Sequence, residues 1–255
     1  MPVTFITGAS SGIGRSLARR LAAHGDAVAV VARRQPLLDS LVAEIDARGG
    51  RALAIACDVT DRAAVLAAVR TAESRLGPID RLVANAGGGE PTFPASFQAA
   101  QIERVIALNV GGTANCIEAV LPAMLARGAG HIAATSSLAA YRGLPGAAAY
   151  SAAKAALTNM LESLRIDLRG SGVDITVLCP GFVRLSDAKK RKPLQIELED
   201  ATRVMHQAIL ERRAHLAFPL AMALAVRFGR LLPAGLYDRL LAGRGPGPKV
   251  ARTDA

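Results

Sequence analysis

The sequence predicts an α/β fold, a doubly wound parallel sheet of seven strands with helices on both faces, and three observations carry that prediction. Short apolar runs alternate with longer stretches of helical periodicity through the first 180 residues, as repeated βα units require. Each short run is almost continuously apolar, the pattern of a strand covered on both faces. A glycine-rich turn follows the first run and opens the first helical stretch. At 255 residues and 26.4 kDa the chain can bury one large core.

Taken in order, the strands are Val3 to Thr7, Ala27 to Val31, Ala52 to Ala56, Arg81 to Ala84, His131 to Thr135, Asp174 to Leu178 and His215 to Phe218. Helical patterns lie between them at about 13–24, 36–48, 61–75, 99–126, 149–169 and 196–212. The alternation stops at Pro180, where a loop carrying the basic run Lys189-Lys190-Arg191-Lys192 begins. No repeat and no interdomain linker is visible. Residues 1–243 are expected to form a single domain, with an apolar substrate or oligomer segment at 214–243, and 244–255 a mobile tail.

A 51% hydrophobic and 20% charged composition excludes disorder and collagen-like repeats. The three cysteines, Cys57, Cys116 and Cys179, fit neither a disulfide framework nor a zinc site and read as reduced thiols. His24, His131, His206 and His215 show no metal-ligand spacing, so no metal is expected. Because the first residues run straight into the glycine motif, no secretory leader is expected and the protein is placed in the cytoplasm. Leu216 to Val226, the longest uncharged apolar run, is too short to span a bilayer, and Pro219 interrupts it.

The net charge of +10 is uneven: residues 1–183 contribute +3 and residues 184–255 contribute +7. With 4% aromatics and no Trp there is little stacking surface for single-stranded nucleic acid, and no nucleic-acid partner is expected. An anionic substrate, cofactor or membrane surface stays open.

Thr7-Gly8-Ala9-Ser10-Ser11-Gly12-Ile13-Gly14 sits between strand and helix. Gly8 suits the tight turn, Gly12 lets backbone approach a pyrophosphate, and Gly14 lets helix and strand pack closely. The helix start then offers N–H groups to phosphates, in a Rossmann-like arrangement. A carboxylate after the second strand would accept the ribose hydroxyls of NAD, but Arg33-Arg34 stands there instead. Two guanidinium groups suit a 2′-phosphate, so NADP(H) is the expected cofactor.

Tyr150 and Lys154 lie one helical turn apart. A free tyrosine, with a pKa near ~10, transfers protons poorly at neutral pH, and a neighbouring ammonium is expected to lower it. With the glycine loop, Tyr150-Ser151-Ala152-Ala153-Lys154 resembles the short-chain dehydrogenase/reductase family, of the Tyr-x-x-x-Lys type with a TGxxxGxG cofactor motif. The resemblance runs over nearly the whole chain. Asp58-Val59 is similar to the family's adenine-contacting pair, Asn85-Ala86-Gly87 to the motif closing its fourth strand, and Pro180-Gly181 to the motif after its sixth, with Val183 just beyond. Asn109 matches the helix asparagine, and Ser137, 13 residues before Tyr150, the catalytic serine.

The resemblance implies that Tyr150 exchanges a proton with the substrate oxygen and that Lys154 tunes Tyr150 and holds the nicotinamide ribose. It further implies that Ser137 hydrogen-bonds the substrate, that Asn109 supports a water relay, and that the cofactor carries the hydride. Ser136 competes with Ser137, and Asp58 could instead cap the next helix, where Thr60 and Asp61 serve equally. One departure is Leu185, where many relatives have threonine.

The family builds substrate pockets from the loops near Gly88–Pro94, Leu138–Gly146 and Phe182–Leu194. Ser137, Tyr150, Phe93, Leu144 and Phe182 are therefore the expected substrate contacts, suiting an apolar ketone or secondary alcohol, with a 3-oxoacyl or other lipid-like compound among the choices. A non-catalytic NADP sensor would keep the glycine loop but not Asn109, Ser137, Tyr150 and Lys154 together. A peripheral membrane module would explain the basic C-terminal region alone. Residues 216–243 need a cover, which could be the protein's own substrate pocket, a second subunit or a membrane surface; a homo-oligomer (dimer or tetramer) is ranked first and reversible membrane contact second.

Overall fold

The computed structural model describes residues 1–184 and 194–243. Leu185, the basic run Lys189 to Lys192 and the tail 244–255 lie outside the described residues. The strands are β1 (Val3–Thr7), β2 (Ala27–Ala32), β3 (Arg51–Ala56), β4 (Arg81–Ala84), β5 (Gly130–Thr135), β6 (Val173–Pro180), β7 (Val183–Arg184), β8 (Ile196–Glu197) and β9 (His215–Phe218). The helices are α1 (Gly12–His24), α2 (Gln35–Asp46), α3 (Arg62–Leu76), α4 (Ala99–Ile106), α5 (Gly112–Arg127), α6 (Ala148–Asp167), α7 (Leu198–Leu210), α8 (Leu220–Leu231) and α9 (Ala234–Leu241).

Seven strands form one parallel sheet in the order β3-β2-β1-β4-β5-β6-β9. The chain winds outward from β1 to β3, returns to β4 on the other side of β1 and continues to β9. That reversal opens a crevice beyond the carboxyl ends of β1 and β4, where ligands settle in open α/β sheets. The Val- and Ala-rich β2 is buried at every residue, whereas β3, at the sheet edge, is only partly covered. One apolar layer packs α3, α5 and α6 against the sheet, and another packs α1, α2 and α7 against the opposite face.

Local signals explain most element ends. Gly25 closes α1 in the left-handed region at φ 106°, where only glycine is unstrained. The Asp61 side chain accepts from the Ala64 N–H at 3.0 Å and caps α3. Asp58 therefore does not cap that helix.

Three features depart from the sequence reading. The expected helix at 99–126 has a π-helical segment, Ala107–Gly111, between α4 and α5. The short β7–β8 pair brackets residues 185–193. Residues 220–241 fold as two helices started at Pro219 and Pro233. The run Ala99–Arg127 is long and apolar enough to cross a membrane by length and composition. Here it packs as a core element, burying Val105, Asn109, Cys116, Ile117, Val120 and Met124.

Candidate active site

A cleft of about 480 Å³ opens at the carboxyl ends of β1 and β4. Its walls include Gly8, Ser10, Ser11, Gly12 and Ile13 from the first turn, Arg33 and Arg34 after β2, and Asp58 and Val59 after β3. Asn85, Ala86 and Gly87 follow β4, while Pro180, Gly181 and Val183 come from the end of β6 and beyond. Ser137, Tyr150 and Lys154 complete the wall.

The first turn is built to leave backbone N–H groups exposed. Gly8 has φ 68°, and a Cβ there would meet the Ala86 Cα at 2.9 Å. A Cβ on Gly14 would lie 2.3 Å from the Gly8 carbonyl oxygen, so the helix start can approach the strand only as glycine. No side chain caps α1 and no acid occupies its first turn, which leaves the positive end of the helix open to an anion. Asn85 braces this turn: its Nδ2 donates to the Thr7 carbonyl at 3.2 Å, and its Oδ1 accepts from the Thr135 hydroxyl at 3.1 Å.

At the second strand the Arg34 guanidinium donates to the hydroxyls of Ser10 at 2.9 Å and Ser11 at 3.2 Å. The Arg33 side chain is 78% exposed and approaches the Asp58 carboxylate at 3.8 Å. Asp58 also accepts from the Thr60 N–H and hydroxyl, at 3.0 and 2.8 Å. These bonds from Thr60, helped by the Arg33 charge, hold its carboxyl below the usual value against the opposing effect of burial.

Asn109 does not line the cleft but sits buried behind it in the π segment. Its Nδ2 donates to the carbonyls of Gly88 at 2.7 Å and Val105 at 2.8 Å, and its Oδ1 accepts from the Gly88 N–H at 3.2 Å. A Cβ on Gly87 would fall 2.6 Å from Asn109 Oδ1 and 3.1 Å from Lys154 Nζ, so that glycine lets loop, asparagine and lysine converge. Asn109's backbone carbonyl accepts from the Thr113 hydroxyl at 2.9 Å.

Ser136 and Ser137 have different surroundings. Ser136 is buried, donating to the Lys154 carbonyl at 3.1 Å and pairing with the Thr158 hydroxyl at 2.7 Å, so it ties β5 to α6. Ser137 starts a short 3₁₀ turn, accepts from the Ala139 N–H at 3.1 Å, donates to the Pro180 carbonyl at 3.4 Å and stands beside Tyr150 on the cleft wall. Lys154, 3% exposed, donates from Nζ to the Thr135 carbonyl at 2.8 Å.

The expected lowering of Tyr150 by Lys154 is not found. Burial pushes the phenol above its ordinary value, with the Ser137 hydroxyl opposing. Burial likewise pulls the Lys154 ammonium down, to about 8. The ammonium lies 5.6 Å from the Tyr150 ring centroid and donates to the Thr135 carbonyl, and burial dominates both groups.

Seven strands in this order, a glycine turn on an uncapped helix and a Ser–Tyr–Lys cluster define a shape that known proteins share. The short chain dehydrogenase family model matches residues 2–196. The chain belongs to the short-chain dehydrogenase family. It is an oxidoreductase of the kind that binds a nicotinamide cofactor. It is 41% identical over 236 residues to an uncharacterized oxidoreductase of Myxococcus xanthus, covering 91% of this chain and 93% of that one. Among solved structures it is similar to a short-chain dehydrogenase from Streptomyces avermitilis (TM-score 0.81, 30% identity, 96% and 98% of the two chains covered). It is also similar to an alcohol dehydrogenase from Thermococcus sibiricus complexed with 5-hydroxy-NADP (TM-score 0.77, 26% identity, 86% and 96% covered).

Within this short-chain dehydrogenase the expected substrate contacts Phe93, Leu144 and Phe182 do not line the cleft. They stand on the loops beyond β4, β5 and β6, and Phe182 is 44% exposed. Conversely, Ala32, Cys57, Gly88, Leu108 and Thr135 line it without having been expected there, as does Ser136, weighed only as a rival to Ser137. Only Thr135 and Ser136, polar residues closing a strand beside Ser137, offered a signal. Gly89 escaped too, although a Cβ there would strike the Tyr150 ring at 2.8 Å.

Proposed function

We propose that this short-chain dehydrogenase is an NADP(H)-dependent oxidoreductase acting between an apolar ketone and the corresponding secondary alcohol. The observation that carries the cofactor preference is Arg34 fixed on the Ser10 and Ser11 hydroxyls, with Arg33 exposed beside it. Two guanidinium groups at the edge of the phosphate-binding turn favour a 2′-phosphate by charge and by bidentate geometry. The solved Thermococcus sibiricus structure, complexed with an NADP derivative, supports the same reading.

The residues present fit a dinucleotide. Gly8, Gly12 and the open start of α1 would hold the pyrophosphate, and Asp58 and Val59 would flank the adenine. Lys154 would hold the nicotinamide ribose, with Pro180, Gly181 and Val183 beside the ring. When bound, the cofactor supplies or accepts the hydride. Tyr150, with Ser137 beside it on the cleft wall, gives its phenolic proton to the carbonyl oxygen in reduction and takes it back in oxidation. Ser137 orients that oxygen, and Asn109 fixes the Gly88 loop against α4 and the π segment.

The apolar substrate class rests on the apolar residues of the loops beyond β4 and β5, among them Phe93 and Leu144, which stand outside the cleft walls. Titration with NADPH and NADH tests the cofactor assignment: NADPH should bind at least about ten-fold tighter, and Arg34→Ala should erase most of that margin. Equal affinity for the two cofactors would overturn it. A screen of apolar ketones, acyl thioesters and aldehydes with NADPH tests the substrate class, which consumption of polar sugars alone would refute.

A further inference from the structure

Helix α8 is apolar on both sides. Its inner side puts Ala223 into the core, with Met222 and Val226 packed against it. Its outer side exposes Leu220 (69%), Leu224 (54%), Phe228 (65%) and Leu231 (81%), spaced 4, 4 and 3 residues apart and so on one helical face. Helix α9 adds Leu236 and Leu240, both 47% exposed. Such a stripe on a soluble surface calls for a partner.

The charges around the stripe identify the partner. Arg230 and Arg239 are exposed on these two helices, Arg227 is exposed but has its guanidinium 5.9 Å from the Tyr141 ring centroid, and Asp238 is the single acid on either. A two-fold contact with a second copy would set those arginines against their own counterparts, without acids on the same face to receive them. An anionic headgroup layer complements both the leucine stripe and the arginines. This segment is therefore read for membrane contact, ranked after the homo-oligomer in the sequence reading.

The two helices are also held in place. Arg142, five residues after Ser137, donates to the carbonyls of Gly229 and of Leu232, the latter at 2.8 Å. Its guanidinium lies 3.9 Å from the Tyr237 ring centroid, and the Tyr237 hydroxyl donates to the Gly143 carbonyl at 2.7 Å. Arg142 and Tyr237 thus tie α8 and α9 to the loop that follows Ser137.

We propose that α8 and α9 form an interfacial anchor that docks the enzyme on anionic lipid bilayers, with the arginines at the headgroups and the leucine stripe in the acyl boundary. The proposal does not depend on the cofactor or substrate assigned above. Because the chain has no Trp, Phe228→Trp places a single fluorophore on the stripe. With vesicles of phosphatidylcholine and phosphatidylglycerol, its emission should shift to the blue and the full-length protein should co-sediment; with phosphatidylcholine alone both effects should be much weaker.

Each of Arg230→Gln and Arg239→Gln should weaken partitioning by about five-fold, and high salt should mimic them. Leu224→Ser with Leu231→Ser should abolish it while leaving the thermal midpoint unchanged, since both side chains are exposed. No sedimentation and no spectral shift with anionic vesicles would overturn the proposal. So would light scattering in which the Leu224→Ser, Leu231→Ser protein falls from oligomer to monomer while wild type ignores vesicles, which would assign the face to a second copy.

Discussion

The two ends of the same sheet both bury charged and polar groups, and they use them in opposite ways. At the amino ends, the fully buried Asp26 carboxylate accepts from the Thr4 hydroxyl at 2.6 Å and pairs with Arg81, while His131 bonds the Thr176 hydroxyl at 2.8 Å. These groups pair chiefly with one another, although Asp26 Oδ1, Arg81 Nε and His131 Nδ1 keep no hydrogen-bond partner. At the carboxyl ends, Ser137, Tyr150 and Lys154 border an open cleft, where their polar atoms can meet a ligand. Burial with mutual pairing makes structure, and burial beside an opening makes chemistry.

The sharpest way to break this contrast is to exchange the consequences of mutation. Tyr150→Phe keeps the ring and loses the hydroxyl, so turnover should fall by about 10²–10⁴-fold while thermal stability and cofactor affinity hold; undiminished turnover in the purified variant would remove Tyr150 from the chemistry. Asp26→Ala should do the reverse. It strands Arg81 beside a cavity, and chemical denaturation should register a loss of about 3–5 kcal/mol, with the specific activity of the folded fraction unchanged.

The pH dependence of stability should separate the ends on opposite sides of neutrality. His131 is pulled down by burial to about 3, so between about 6.5 and 3 the unfolded chain binds a proton that the folded chain refuses. Stability must therefore fall as the pH drops through that window, by at most about 1.4 kcal/mol per unit, and His131→Gln should flatten the slope. Lys154, pulled down to about 8, imposes its penalty in full below that pH and sheds it as the pH rises toward about 10.5. Lys154→Met should accordingly be stabilising near neutrality, with an advantage that shrinks above pH 8; a constant difference across that range would contradict the assignment.

The smallest effect tests the finest distinction, between adjacent serines. Ser136→Ala should cost about 1 kcal/mol of stability and leave turnover within a few-fold, whereas Ser137→Ala should lower turnover with little change in the thermal midpoint. Matching activity losses in the two would mean that both hydroxyls serve the reaction.

Strand positions were legible because parallel strands bury both faces and read as unbroken apolar runs; β1, β4 and β9 coincide with the expected bounds. The glycine turn was legible because its backbone demands are met by few residues. Other features depend on distant contacts that no local pattern encodes. Desolvation of Tyr150 and Lys154 is set by what packs over them, so the direction of the Tyr150 shift could not be taken from their spacing. Arg142 carries no local signal, and only folding brings Gly229, Leu232 and Tyr237 to it. Residues 220–241 read as apolar, but which side chains would face outward required the helices themselves.

The π segment at Ala107–Gly111 has a consequence for how this chain can vary. An extra residue in a helix advances the angular phase of everything beyond it by about 100°. Before the segment, α4 faces α6; after it, α5 faces α3 and the sheet. One continuous rod thus serves two neighbours that a regular helix would not address together, and the phase difference is stored in the insertion that also carries Asn109. Exposed positions along this rod should accept new side chains freely, while losing a single residue between the two halves would turn one buried face toward solvent. Length, more than composition, is what this part of the sequence has to keep.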